Sequence, residues 1–88
     1  MKIRKGFVLR PLGKEYIVTA EGASLIDFNK ILSLNSTAAY LWESVGESEF
    51  DATTFQKLLL DKYDVDPETA LKDSQAIIKS FLEAGVLE

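Results

Sequence analysis

Eighty-eight residues, 47% of them hydrophobic, allow one domain around one core, residues 1–88, because a chain this small buries only about 60 to 65% of its unfolded surface. With no cysteine and no histidine, disulfide frameworks, thiolate chemistry, zinc sites of the usual kind and imidazole-dependent triads are excluded, and the absence of an 18-residue apolar run or a secretory-type start predicts a soluble, cytoplasmic protein with no membrane partner. The net charge of -4 hides an asymmetry: Lys2, Arg4, Lys5, Arg10 and Lys14 all precede the first acid, Glu15, whereas the rest sets five lysines against fourteen acids, so a basic N-terminal strand is expected on an acidic helical body.

In chain order, Gly6 to Arg10 and Glu15 to Ala20 are short runs rich in Val, Ile, Phe and Tyr, with Pro11 and Gly13 between them as turn formers. They predict a β-hairpin. Ser24 to Phe28 extends the sheet or forms an irregular arm, and Asn29-Lys30 then turns the chain into a third strand, Ile31 to Leu34. Alternation places Leu32 and Leu34 on the core face, with Ile31 and Ser33 opposite.

The helices announce themselves through their caps. Asn35 is a favoured N-cap, and Ala38, Leu41, Trp42 and Val45 recur at helical spacing until Gly46. Asp51 is a second N-cap, flanked by Phe50 and Phe55 where a hydrophobic staple joins across the cap, and the stripe runs on through Leu58 and Leu59 to about Asp64. Asp66-Pro67-Glu68 supplies a capping carboxylate, proline at the first helical position and an acid in the first turn, and Gly85 ends this last helix. On it Ile77, Ala70, Phe81 and Ser74 cluster, with Ile78, Leu71 and Leu82 along one flank. The apolar arc of about 140° exceeds the roughly 100° that one packed layer needs, so either the whole arc is buried or its surplus lines a groove. The fold class is therefore α+β: an N-terminal three-stranded antiparallel β-meander followed by three helices.

The segments ILSLNSTAAYLWE, YDVDPETALKD and FLEAGVL, in this order and spacing over Ile31 to Leu87, resemble the PqqD-like proteins, whose fold is called the RiPP recognition element. Two positions depart from the pattern: Lys30 stands where relatives often have glycine, and Leu82 where they often carry a charge. The resemblance implies a winged-helix-like arrangement of three strands and three helices. It also implies a function in peptide modification of the kind known from PQQ biosynthesis. Members bind the leader segment of a ribosomally made precursor peptide as an extra antiparallel strand beside the third strand, in a cleft closed by the third helix, and present it to a modifying enzyme, often a radical SAM enzyme.

The physical case stands beside the family's. An edge strand offers unpaired N–H and C=O groups to an extended guest, and pockets for alternate side chains give selectivity. Ile31 to Leu34 has neither proline nor a mid-strand charge to block such pairing. The expected peptide-binding residues are Ile31, Leu32, Ser33 and Leu34 for the backbone ladder, and Leu71, Gln75, Ile78 and Leu82 for the helical wall; the flank of Asp73, Ile77, Ser80 and Ala84 is the competing choice.

Other readings are a strand paired on both sides, a homodimer through the same edge, and winged-helix DNA binding. The last is disfavoured because the third helix sets Lys72 and Lys79 against Glu68, Asp73 and Glu83 and has no arginine, the preferred reader of guanine. Trp42 and Tyr40 read as core rather than as a ligand stack. Asp61, Asp64, Asp66 and Glu68 lack the glycine and final glutamate of a calcium loop, so no catalytic residue, metal or cofactor is expected. The basic N-terminal segment is either a solvated edge or a dock for an acidic partner.

Overall fold

The computed structural model describes residues 1–20 and 32–88. Three strands, β1 (Phe7–Leu12), β2 (Glu15–Ala20) and β3 (Leu32–Leu34), precede three helices, α1 (Ser36–Val45), α2 (Ala52–Lys62) and α3 (Pro67–Ala84). The strands form an antiparallel sheet in the order β1-β2-β3. The expected arm at Ser24 to Phe28, the turn at Asn29-Lys30 and Ile31 lie outside the described residues.

The hairpin is longer than its sequence suggested. β1 runs on through Pro11, which pairs with Tyr16, and the turn shrinks to Gly13-Lys14 between the paired Leu12 and Glu15. Gly13 alone takes positive φ, 62°, in this turn, the pattern of a type II′ hairpin whose first central residue is glycine. Proline is tolerated because β1 is an outer strand, where a missing N–H breaks no ladder bond on its open side.

Each helix starts where its cap placed it. Ala38 donates its N–H to Asn35 Oδ1 at 2.8 Å. At α2 the Asp51 carboxylate accepts from the Thr54 N–H at 2.9 Å while Thr54 Oγ1 accepts from the Asp51 N–H at 3.3 Å, a reciprocal capping box. Beside it the Phe50 and Phe55 rings stack at 4.6 Å and 7° as the staple. α2 stops at Lys62, two residues before the expected Asp64, because Tyr63 turns extended, with φ -118° and ψ 153°, to lead the chain toward its next cap. There Thr69 donates to Asp66 at 2.8 Å from its N–H and at 3.0 Å from its hydroxyl. α3 closes in a Schellman arrangement: Gly85, at φ 74°, donates to the Leu82 carbonyl, and Val86 donates to the Phe81 carbonyl.

The core lies between the sheet and the helices. Val18 and Leu34 come from the strands, Leu41 and Trp42 from α1, Phe55 and Leu59 from α2, and Ala70, Ile78 and Phe81 from α3. Phe81 anchors it, edge-on to Trp42 at 5.5 Å and to Phe55 at 6.2 Å. Trp42 is thus a core residue, while half-buried Tyr40 lies edge-on to Tyr63 at 6.2 Å with the Lys62 ammonium 4.1 Å above its ring.

The two ends of the chain are clasped together. Ile3 bridges Leu87, Arg4 donates its N–H to the Val86 carbonyl and Glu88 donates to the Lys2 carbonyl, each at 2.8 Å, and Phe50 donates to the Met1 carbonyl at 2.7 Å. Lys2 faces Glu88 at 3.5 Å, and Arg4 Nη2 donates to the Leu87 carbonyl at 3.3 Å. Two of the basic N-terminal side chains therefore engage the chain's own end.

Candidate functional site

β3 joins the sheet through Tyr16↔Leu34, Ile17↔Ser33 and Val18↔Leu32, and among the described residues it has a strand on one side only. Its inward residues follow the expected alternation: Leu34 is buried, Leu32 is half-buried against the core and Ser33 is exposed. Asn35 follows at once as the α1 cap. A three-residue strand held by β2 along one side and by a capped helix at its end has little freedom to move, so its outer edge is fixed in orientation.

The second element is α3. Ala70, Ser74 and Phe81 are fully buried and Ile78 is 7% exposed, which sets the line along which the helix meets the core. The Ser74 hydroxyl in this line is satisfied by donating to the Ala70 carbonyl at 2.7 Å. The apolar arc is wider than that line. Leu71 and Ile77 are half-buried, and Leu82 is 57% exposed.

Of the four wall residues read from sequence, Ile78 belongs to the core, Leu71 borders it, and Gln75 and Leu82 face solvent. On an ideal helix all four fall within about 60° of one another. On the competing flank Ile77 is half-buried, while Asp73, Ser80 and Ala84 are exposed, so that flank offers little apolar surface. Leu34, Ile78 and Phe81 belong to the same core cluster, against which Leu32 packs, so β3 and α3 face one core.

The far face of the sheet carries a feature that residue-type reading passed over. Residues directly opposite across a ladder share a face, so Leu9, Val18 and Leu32 pointing inward leave Val8, Arg10, Ile17, Thr19 and Ser33 on the outer side. Arg10 Nε donates to Thr19 Oγ1 there at 3.3 Å. The signal was the alternation Phe7, Leu9 against Val8, Arg10, which a strand of mostly apolar residues obscures.

The acids do not assemble. Asp66 caps α3, Glu68 meets Lys72 at 3.6 Å, and among the described residues no group of three or more His, Cys, Asp or Glu is placed to hold a metal ion. Donation from the Thr54 and Thr69 backbones, then from their hydroxyls, holds the Asp51 and Asp66 carboxyls below their ordinary pKa, which fits capping. No helix among the described residues is long and apolar enough to cross a membrane.

The arrangement is an edge strand and a helix that face one core, the helix leaving apolar surface uncovered, with no metal-ligating cluster among the described residues. Residues 8–87 match the family model for coenzyme PQQ synthesis protein D (PqqD). A solved structure described as TbiB1 in complex with the TbiA(β) leader peptide has the same fold, with a TM-score of 0.74 at 17% identity over 100% of this chain and 95% of that one. No curated protein matches the chain in sequence.

Proposed function

The chain belongs to the PqqD family, and from that premise we propose that it binds the leader segment of a ribosomally made precursor peptide, without catalysing its modification. The guest adds as an antiparallel strand to the free side of β3. Leu32, Ser33 and Leu34 supply the main-chain ladder, and Leu71, Gln75 and Leu82 form the wall that receives alternate side chains, with Ile78 in the core behind them.

The observation that carries this reading is β3 itself, a short unblocked strand paired on one side among the described residues, on the same core as a helix that carries a 57% exposed leucine. Two findings support it: the family, and a fold shared with TbiB1, whose structure holds a leader peptide. The partner that receives the presented peptide is a modifying enzyme, of the radical SAM class in the reading that the family favours. Ordering an extended peptide offsets much of its contact energy, so a free energy of about -8 to -9 kcal/mol, near micromolar affinity, is expected.

The test is a titration of isotope-labelled protein with leader peptides, followed by amide resonances. Shifts concentrated at Leu32 to Leu34 and along α3 are expected. Shifts confined to α1, α2 or the β1-β2 turn would rule strand addition out.

A further inference from the structure

The surface around Leu82 carries information about the guest. Leu82 is the most exposed large apolar side chain of the described helices. Its nearest helical neighbours toward the body are Ile78, in the core, and Lys79, one turn earlier and exposed. At 100° per residue Lys79 lies about 40° beyond Gln75, on the solvent rim of the Leu71, Gln75, Ile78, Leu82 stripe.

Lys79 stands apart from the other described lysines of the acidic body. Lys72 faces Glu68 and Lys62 sits over the Tyr40 ring. Lys57, also without an ion-pair partner among the described residues, lies on α2 and not on α3. Lys79 has no ion-pair partner among the described residues, although Glu83 follows it at i+4, an order in which the lysine-first pair is the weaker one. A cation beside uncovered apolar surface is locally complementary to a guest that is apolar on one face and anionic at its rim.

We propose that the peptide taken along this stripe alternates apolar residues, directed at half-buried Leu71 and exposed Leu82, with acidic ones, of which at least one carboxylate meets Lys79. This rests on the strand-addition reading and names the chemistry of its guest. β3 supports the same alternation, since its inward Leu32 and Leu34 flank the exposed Ser33. A guest strand in register therefore has apolar positions two residues apart.

Three acetylated, amidated synthetic peptides, Ser-Xaa-Val-Xaa-Leu-Xaa-Val-Xaa-Ser with Xaa all Glu, all Gln or all Lys, test this by amide-resonance titration of the labelled protein. The Glu peptide is expected to bind about two- to fivefold more tightly than the Gln peptide, the scale of an exposed ion pair, and the Lys peptide most weakly. The gap should close as salt shortens the screening length. In Lys79→Glu, whose exposed site leaves the fold intact, the order of the Glu and Lys peptides should reverse, with urea unfolding as the control. Equal affinities for the Glu and Gln peptides, or an order unchanged in Lys79→Glu, with shifts still at β3 and α3, would overturn the charge rule and leave strand addition standing. No shifts at β3 or α3 with any of the three would overturn both.

Discussion

Leu82→Gln is the sharpest probe of where the groove runs. Glutamine matches leucine in helix propensity and approximates its length, so the change removes apolar character and little else. Full burial of a leucine side chain contributes about 1.5 to 3 kcal/mol. Leu82 keeps 57% of its surface in water, so a guest that covers it gains at most that share, about 0.9 to 1.7 kcal/mol. Binding of a leader by Leu82→Gln should therefore weaken about 4- to 16-fold, measured by calorimetry, while the free energy of unfolding in urea falls by about 0.6 to 1.3 kcal/mol, the share of the side chain already covered in the fold. An unchanged dissociation constant would refute the reasoning and move the guest to the flank of Asp73, Ile77, Ser80 and Ala84. A larger loss of stability would refute it differently, by showing that more of Leu82 packs in the fold.

Phe81→Ala should cost about 3 to 5 kcal/mol, because the ring is fully buried between Trp42 and Phe55; urea unfolding followed by the fluorescence of Trp42, the single tryptophan, reads this directly. Asn35→Ala should cost about 1 kcal/mol by removing the acceptor of the Ala38 N–H, and amide exchange should quicken in the first turn of α1. Asp51 and Asp66 have carboxyls held below their ordinary value of 3.8 by donation from Thr54 and Thr69, so the folded chain binds fewer protons than the unfolded one as these groups titrate. Their contribution is complete above the ordinary value and lost as pH falls through the lowered folded values. The urea midpoint should fall with acidification below that range, and the double variant Asp51→Asn, Asp66→Asn, which keeps both caps but does not titrate, should fall less steeply.

Much of the fold was legible because its signals are local. Asn35, Asp51 and Asp66 each bond an N–H three residues ahead, so a cap and the start of its helix are written in four consecutive letters. The alternation of Leu32, Ser33 and Leu34 is equally local and appears unchanged in their burial. Pro11 misled because its acceptability depends on β1 being an outer strand, a property of sheet order. The pairing of Ile3 with Leu87 left no local trace, since neither segment carries a strand pattern of its own. For the site, periodicity found the stripe on α3, but only packing separates core Ile78 from exposed Leu82.

The clasp has a consequence for how the molecule assembles. The Arg4 side chain reaches the Leu87 carbonyl across 83 residues, and closing a flexible loop of that length costs about 4 kcal/mol beyond the constant for any closure. Contacts that close so long a loop are expected to form late in folding, so substitutions at Ile3 or Leu87 should speed unfolding while leaving the folding rate nearly untouched. The turn that carries Leu82 ends in the Gly85-Val86 closure onto which this clasp is tied. On that expectation the end of α3 locks late, and a chain caught before the locking would hold β3 in place with the Leu82 turn still unfastened.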